Sequence, residues 1–319
     1  MKPLKIAYFG TGEFSKNILS DLHEHYNQEL DISLVVSQPD KAVGRKRTIT
    51  PTPVHAYATE QGLDILQPVK VKNNPKFFSE LEALKLDFIV VVAYGKIIPN
   101  EILDAPKYGC INIHGSILPD YRGASPIQES LKNGDTQTGL TIMYMSEGMD
   151  EGDLLKIEKI KIDKLDKTTD LFTKFEQFGA RLLIETLQGL IVGKIKGIPQ
   201  DESQATYCSK ISKSDGEIDF QTMSSDEIFN KFRAYSPWPG IYSYFNDKKL
   251  NIEGCIVFDG EVEGIFEIGS VIRGDKKTIG IICADKKLLQ LKQVKLEGKK
   301  SMDILSFVNG NKDFLDYKF

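Results

Sequence analysis

The stretch DFIVVVAYG, residues 87–95, decides the fold. Nearly every residue in it is apolar, and β-branched residues dominate its centre. A short apolar run that does not alternate with polar residues is typical of a strand buried on both faces of a parallel sheet. The stretch therefore predicts a central strand with helices packed on both sides of it.

Further apolar runs lie on both sides of this strand in the sequence, and segments with helical spacing separate them. This alternation predicts an α/β fold with a doubly wound, mainly parallel, Rossmann-like sheet. The other predicted strands are LKIAYFG (4–10), LDISLVVSQ (30–38), DILQP (64–68), GCINIHGS (109–116) and GLTIMYMS (139–146). The predicted helices cover residues 15–25, 53–62, 75–85 and 170–191.

The character of the sequence changes near residue 192. Residues 193–209 are polar and rich in Gly, Lys and Ser, which is typical of a linker between domains. Residues 210–319 carry about five short strand-like runs divided by Asp, Lys and Gly, and this pattern predicts a small, OB-like, all-β barrel. We therefore expect a Rossmann-like domain over 1–192, a linker over 193–209 and a barrel over 210–319.

The composition excludes several classes of protein. A chain of 319 residues with 41% hydrophobic and 27% charged residues suits two globular domains. The net charge of -4 argues against a globally basic nucleic-acid-binding protein. The four cysteines form no C-x-x-C pair, so we expect no metal site and no disulfide framework. No apolar run reaches the ~18 residues of a membrane span, and no signal peptide is evident, so we expect a cytoplasmic protein.

Asn112 and His114 stand two residues apart at the end of the predicted strand CINIH. Their side chains therefore lie on one face of the sheet. Ligands of open α/β sheets bind beyond the carboxyl ends of the strands. The two residues either satisfy each other and the backbone, or they face a cleft, and the Gly-Ser-x-x-Pro loop that follows favours the cleft. Cys110 on the same strand is an alternative nucleophile, although a core position is expected for it.

A carboxylate from the segment MSEGMDEGDLL (145–155) is the third candidate, since this segment follows the next predicted strand. Asp150 would reach His114 if the two strands are neighbours. Glu147, Glu151 and Asp153 lie in the same segment, and composition does not choose among the four.

Three other motifs have competing interpretations. GTGEFS (10–15) begins like a dinucleotide-binding turn but has Ser15 at the third glycine position, so we interpret it as a tight turn that directs Phe14 toward a cleft. The loop QPDKAVGRKRTITPTP (38–53) contains a basic cluster that is either solvated surface or a phosphate-binding arm. Trp238 in SPWPG either anchors the core of the barrel or stacks on a base, and we expect the core role.

Together these residues resemble the folate-dependent formyltransferases. INIHGSILPDYRGASPI followed by GLTIMYMSEGMDEGDLL looks like the Asn-x-His pair and downstream Asp of that family. FGTGEFS, VVVAYGKIIP, ATYCSKISKSDGEIDF, FRAYSPWPG and GKKSMDILSFVNG match further landmarks in the same order, so the resemblance covers nearly the whole chain.

The resemblance implies a monomeric enzyme that transfers a formyl group from 10-formyltetrahydrofolate, as co-substrate, to the α-amino group of initiator methionyl-tRNA. The implied catalytic residues are Asn112, His114 and Asp150. Asn112 and a protonated His114 would donate hydrogen bonds to the oxyanion, and Asp150 would favour the imidazolium form of His114. The implied folate-binding residues are Tyr94, Gly95, Lys96, Ile97, Ile98, Ser116, Ile117, Leu118, Pro119 and Gly148. The implied tRNA-binding residues are Phe14, Lys41, Arg45, Lys46, Arg47, Lys210 and Lys213.

Rival functions share parts of this pattern. A sugar N-formyltransferase would keep the first domain but act on a nucleotide-linked amino sugar, and the basic loop and the second domain argue against it. A hydrolase of formyl-folate is disfavoured on the same grounds. A non-catalytic RNA-binding protein is disfavoured because the Asn112, His114 and Asp150 set is intact.

Overall fold

The structure is a computed structural model that describes residues 2–44, 47–260, 264–274 and 278–319. Its contacts divide the chain into two compact units. The first comprises Met1–Pro126, Thr138–Ile160 and Phe172–Cys208, and the second comprises Ile127–Gln137, Lys161–Leu171 and Ser209–Phe319.

The described strands and helices follow the predicted order, with several short elements added. The strands are β1 (Leu4–Gly10), β2 (Leu30–Val36), β3 (Lys41–Val43), β4 (Thr48–Thr50), β5 (Ile65–Leu66), β6 (Phe88–Val92), β7 (Cys110–His114), β8 (Arg122–Gly123), β9 (Gln137–Tyr144), β10 (Leu154–Lys161), β11 (Tyr207–Cys208), β12 (Ile241–Phe245), β13 (Lys248–Val257), β14 (Val271–Arg273), β15 (Ile279–Ile282), β16 (Leu288–Leu296) and β17 (Met302–Asp303). The helices are α1 (Glu13–His25), α2 (Pro53–Glu60), α3 (Pro75–Leu84), α4 (Asn100–Leu103), α5 (Pro126–Lys132), α6 (Thr168–Ile191), α7 (Ser225–Ala234) and α8 (Ile304–Gly310).

Local sequence signals explain where several helices begin. Thr52 caps α2, where its hydroxyl oxygen accepts the His55 N–H at 3.2 Å, and Pro53 occupies the first helical position. Asn74 and Pro75 act in the same way at α3. Ser224 and Glu227 form a reciprocal capping box at α7. These helices are therefore specified locally, before their apolar faces pack.

Seven strands form the main sheet, in the order β10-β9-β7-β6-β1-β2-β5. The pairs from β7 through β5 are parallel, whereas β9 runs antiparallel to β7. The predicted central strand is β6, which is buried throughout. The mainly parallel, Rossmann-like prediction is thus confirmed.

The register of the sheet fixes which side chains share the face with Asn112. Ala7 is opposite Ile89, Phe9 is opposite Val91, and Val91 is opposite Asn112. These apolar residues belong to one hydrophobic core with Phe77 and Leu81 of α3. Strand alternation places His114 on this face too, one pleat closer to the carboxyl end of β7.

The second unit contains a six-stranded antiparallel sheet of half-barrel form. Its strand order is β12-β13-β16-β15-β14, and β17 pairs with β16. Helices α7 and α8 bury Ile228, Phe232 and Phe307. The predicted β-rich second domain is confirmed, with two helices that the strand-like runs did not indicate.

Candidate active site

The antiparallel direction of β9 decides how the acidic segment reaches His114. Tyr144, at the end of β9, is opposite Ile111, whereas His114 is opposite Thr141. The end of β9 is therefore about 10 Å from His114 along the sheet, at roughly 3.3 Å per residue. The segment 145–152, which we call the acidic loop, runs back along the face of β7 to bring Asp150 to His114.

Two backbone features allow this route. Asp150 has a φ of 55°, in the left-handed region. After Asp150 the chain returns so closely to β9 that a Cβ on Gly152 would lie 1.8 Å from the Tyr144 carbonyl oxygen. Glycine at position 152 is therefore required by this close approach.

The structure brings His114 and Asp150 together, the pair that the family resemblance implied. His114 Nδ1 lies 3.6 Å from Asp150 Oδ2, and the two side chains are 5% and 18% exposed. The same carboxylate oxygen accepts the Gly123 N–H at 2.8 Å. The carboxylate is therefore held by the backbone of β8 rather than by the imidazole.

The hydrogen bond between His114 Nε2 and the Tyr121 carbonyl oxygen, at 3.0 Å, assigns the tautomer. A carbonyl oxygen only accepts, so Nε2 carries the proton. In the neutral ring Nδ1 is then the basic nitrogen, and it faces Asp150.

Burial lowers the pKa of His114 below its ordinary value of 6.5, and this effect exceeds the opposing influence of the Asp150 charge and of the bond to Tyr121. Asp150 does favour the imidazolium form of His114, as expected, but in the free protein burial outweighs its charge. The ring is neutral at neutral pH and can accept a proton at Nδ1.

Asn112 lies beside this pair on the same strand face and is half-buried. Among the described residues, its carboxamide has no hydrogen-bond partner. The amide N–H groups are therefore free to bind a ligand oxygen.

A network that sequence reasoning missed lies on the other side of Asp150. Arg122 is fully buried and donates to Gln200 Oε1 from Nε and Nη2, at 3.1 and 2.8 Å. Gln200 Nε2 donates to the carbonyl oxygens of Asp150 and Gly152, both at 2.8 Å. Gln200 thus connects a buried cation to the backbone of the acidic loop, although it lies in the predicted linker.

Glu202 and Tyr207 complete the surroundings of the guanidinium. Both Glu202 carboxylate oxygens accept from Arg122, at 2.7 and 2.8 Å, and the Tyr207 hydroxyl lies 3.3 Å from Nη1. Hydrogen bonding to Glu202 raises the pKa of Arg122. Arg122 lies in the stretch INIHGSILPDYRGASPI, but nothing in the sequence connects it with Gln200.

The predicted folate-binding residues of 94–98 form an open loop after β6. Ile97 is 85% exposed, and Gly95 has a φ of 76°. None of the described residues accepts a hydrogen bond from the backbone N–H groups of Gly95, Lys96 or Ile97. Asn100, just beyond this loop, hydrogen-bonds Glu147 of the acidic loop. The loop therefore offers free backbone donors and an apolar side chain next to the acidic loop.

Other predicted folate-binding side chains point elsewhere. The Tyr94 ring is 1% exposed and packs edge-on against Phe9, and burial raises the pKa of Tyr94 to about 12. Ile98 is also buried in this core. Lys96 Nζ donates to the carbonyl oxygens of Pro68 and Val69. Only the backbone is left for ligand contact at Tyr94 and Ile98.

The predicted SILP turn at 116–119 is fixed by Thr141, which is opposite His114. The Thr141 hydroxyl donates to Ser116 O at 2.7 Å and accepts the Leu118 N–H at 3.1 Å. Ser116 and Leu118 are buried, whereas Ile117 and Pro119 are half-exposed. Gly148, the remaining predicted folate-binding residue, is half-exposed in the acidic loop.

The predicted tRNA-binding residues are distributed over both units. Lys41 and Arg47 are exposed on the β3–β4 hairpin, and Arg45 and Lys46 lie outside the described residues. Lys210 and Lys213 are exposed in the second unit. Phe14 instead packs its ring 5.4 Å from that of Phe172.

The base of this basic hairpin is anchored by a polar cluster. Asp40 accepts from His55 Nδ1 at 2.8 Å and from Gln67 Nε2 at 2.7 Å. Lys41 Nζ donates to Gln38 Oε1 at 3.1 Å. The described residues at the base of the loop predicted at 38–53 are therefore held by hydrogen bonds.

Cys110 is a core residue of the first unit, whereas Trp238 is exposed in the second. Cys110 is buried and directs its thiol at the Ile102 carbonyl oxygen, and burial raises its pKa, so it is a core residue. The expectation that Trp238 anchors the barrel core is wrong, because its side chain is 53% exposed. The aromatic core of the second unit is formed instead by Phe245, Phe307 and Phe314.

Across the described residues, no three His, Cys, Asp or Glu side chains are grouped so as to hold a metal ion. No helix in the same part of the chain combines the length and apolarity needed to cross a membrane.

Comparison with known proteins identifies the family. The formyl transferase family model matches residues 4–187, and the formyl transferase C-terminal domain model matches residues 210–312. The chain belongs to the formyl transferase family. Within that family it is 43% identical, over 97% of both chains, to the methionyl-tRNA formyltransferase of Caldicellulosiruptor saccharolyticus. It is 41% identical to the methionyl-tRNA formyltransferase of Listeria welshimeri, over 96% of this chain and 95% of that one.

Solved structures of formyl transferases share the fold. An N-formyltransferase from Helicobacter canadensis, crystallised with folinic acid and dTDP-3-aminofucose, matches with a TM-score of 0.64 at 19% identity. The match covers 90% of this chain and 98% of that one. At this identity the similarity concerns the fold alone.

Proposed function

We propose that this protein transfers the formyl group of 10-formyltetrahydrofolate to the α-amino group of initiator methionyl-tRNA. The observation that carries the proposal is the 43% identity, across 97% of both chains, to a methionyl-tRNA formyltransferase. The site geometry supports acyl transfer in general, whereas this full-length relationship supports the acceptor. The protein is then a transferase that acts in translation initiation.

Asn112 is proposed to stabilise the oxyanion. Attack of the amine on the formyl carbon places negative charge on the formyl oxygen. The unpartnered Asn112 carboxamide can donate a hydrogen bond to that oxygen, and such a donor typically contributes about 10²–10³ in rate. Asn112 can take this role without breaking a hydrogen bond to another described residue.

His114 and Asp150 are proposed to take the proton that the amine loses. That proton is returned to N10 of the folate as the bond between N10 and the formyl carbon breaks and tetrahydrofolate leaves. The neutral ring presents Nδ1 beside the carboxylate, and protonation at Nδ1 would create an ion pair across the present 3.6 Å. The low pKa of the buried ring keeps His114 ready to accept the proton at neutral pH. This role replaces the predicted oxyanion-binding role of an imidazolium, because Nε2–H is engaged by Tyr121.

The open 94–98 loop fits the flat, polar-edged pterin of the co-substrate. Its free backbone N–H groups can bind the ring edge, and exposed Ile97 and Met149 supply apolar contact on the two adjoining loops. The 10-formyltetrahydrofolate supplies the activated formyl group, and the chain holds it with its reactive end at Asn112. Gly148 and half-exposed Ile117 are proposed to border the same site.

The β3–β4 hairpin is proposed to grip the acceptor end of the tRNA. Lys41 and Arg47 are exposed on an arm whose base is fixed by Asp40, and no carboxylate among the described residues forms an ion pair with either of them. Lys210 and Lys213 are proposed to contact backbone phosphates from the second unit. We propose that the protein acts in the cytoplasm. We also propose a monomer, which sedimentation would test.

An acceptor assay tests the proposal. Purified protein is incubated with 10-formyltetrahydrofolate and, in separate reactions, with initiator methionyl-tRNA, a nucleotide-linked amino sugar, or water alone. We expect formylmethionyl-tRNA in the first reaction only. Formylated sugar would support the sugar N-formyltransferase, and release of formate without an acceptor would support a hydrolase.

A further inference from the structure

We propose that Gln200 is a positioning residue for Asp150. Its carboxamide, oriented by the buried guanidinium of Arg122, holds the backbone of the acidic loop so that the carboxylate stays beside His114. The inference rests on the proposed formyl transfer, and it assigns a role in that reaction to a residue far from Asp150 in sequence.

The orientation of the Gln200 amide is determined by its partners. Arg122 only donates, so the atom that it contacts is the amide oxygen. The Asp150 and Gly152 carbonyl oxygens only accept, so the atom that they contact is the amide nitrogen. Both amide hydrogens are thus used on the acidic loop, and no other orientation satisfies all four bonds.

The bonds from Gln200 act at the turn of the acidic loop, where the backbone geometry is unfavourable. Asp150 has left-handed backbone geometry, which is unfavourable for a residue other than glycine. Its neighbours Met149 and Glu151 are exposed. The two bonds from Gln200 are on the backbone on either side of Glu151, where the chain turns back toward β9.

Arg122 and Gly123 together fix both the carboxylate and the backbone of Asp150. The Gly123 N–H binds the carboxylate directly, and the Arg122 side chain fixes the backbone through Gln200. Arg122 and Gly123 are held in turn by residues 193–209, since Arg122 N donates to Thr206 O at 2.8 Å. Residues 193–209, which the sequence predicts to be a linker, therefore hold the backbone around Asp150 through Gln200 and Thr206.

Two substitutions of Gln200 separate positioning from simple structural support. Gln200→Met removes all four bonds without adding charge. Gln200→Glu keeps an acceptor for Arg122 but removes both donors to the acidic loop. We expect each variant to lower kcat for formyl transfer at least tenfold, with KM for both substrates within threefold of wild type. Gln204→Met and Gln204→Glu, at an exposed position in the same segment, are the matched controls and should keep wild-type kcat.

A second readout does not depend on activity. The chain has four histidines, so the His114 signal can be assigned in a ¹⁵N-histidine NMR titration by comparison with His114→Asn. Asp150 favours the protonated ring, so a misplaced Asp150 should shift the titration to lower pH. We expect Gln200→Met to shift it in the same direction as Asp150→Asn.

Full activity of Gln200→Glu would overturn the proposal, because it would mean that Gln200 serves only as an acceptor for Arg122. An unshifted His114 titration in folded Gln200→Met would also overturn it. If wild-type protein formylates no methionyl-tRNA, the proposed function fails, and the titration still decides whether Gln200 positions Asp150.

Discussion

Truncation of Asn112 should separate activity from stability. Its carboxamide is half-buried and has no partner among the described residues, so Asn112→Ala breaks no hydrogen bond in the free protein. We therefore expect the free energy of unfolding to change by no more than about 1 kcal/mol. The loss of the oxyanion donor should lower kcat by about 10²–10³, which corresponds to about 2.7–4 kcal/mol of transition-state stabilisation.

The assay is the initial rate of formylmethionyl-tRNA formation at saturating 10-formyltetrahydrofolate, paired with urea denaturation of the same preparation. Asn112→Asp serves as the companion variant, since it keeps the shape but removes the donor, and it should lose at least as much activity. A kcat for Asn112→Ala within threefold of wild type would refute the oxyanion role. So would a rate loss that is fully matched by loss of folded protein.

Three further predictions concern the pH response, the acidic loop and the hairpin. Below about pH 6.5 the unfolded chain binds a proton that buried His114 resists, so His114 should lower the free energy of unfolding by up to about 1.4 kcal/mol per pH unit as the pH falls. This contribution should be absent from His114→Asn. Urea denaturation from pH 8 to pH 5 that gives wild type and His114→Asn the same pH dependence would contradict this. Gly152→Ala places a Cβ against the Tyr144 carbonyl oxygen and should cost about 1–3 kcal/mol in thermal or urea unfolding, whereas Gly310→Ala, with open space around it, should not. Arg47→Ala should raise the KM for tRNA and leave the KM for 10-formyltetrahydrofolate unchanged. It should also reduce the dependence of tRNA affinity on salt concentration by about one ion. An unchanged salt dependence would mean that Arg47 is only solvated surface.

The fold was predictable because its main signals are local. The unbroken apolar run at 88–92 gives β6, and Pro53 and Pro75 mark helix starts that the structure keeps. The shared parity of Asn112 and His114 on β7 followed from strand geometry alone. Recognition of Asp150 depended on the family resemblance, because four acidic residues share its segment.

The features that the sequence did not predict depend on contacts between residues distant in sequence. Nothing in the segment 145–152 shows that β9 is antiparallel and that the loop must run back along β7. Gln200 lies in a stretch whose composition is that of a linker, and its partner Arg122 is 78 residues away. The protonation of His114 depended on its depth of burial, which the sequence does not state, and Trp238 was misjudged because hydrophobicity does not determine exposure.

The most direct test of the account is a double-mutant cycle on the proton-accepting pair. The single-turnover rate of formyl transfer is measured for wild type, His114→Asn, Asp150→Asn and the double variant. If imidazole and carboxylate act as one unit, the double variant should be no slower than the slower single variant. Losses that simply multiply would show that the two groups act independently, which would contradict the mechanism proposed for this site.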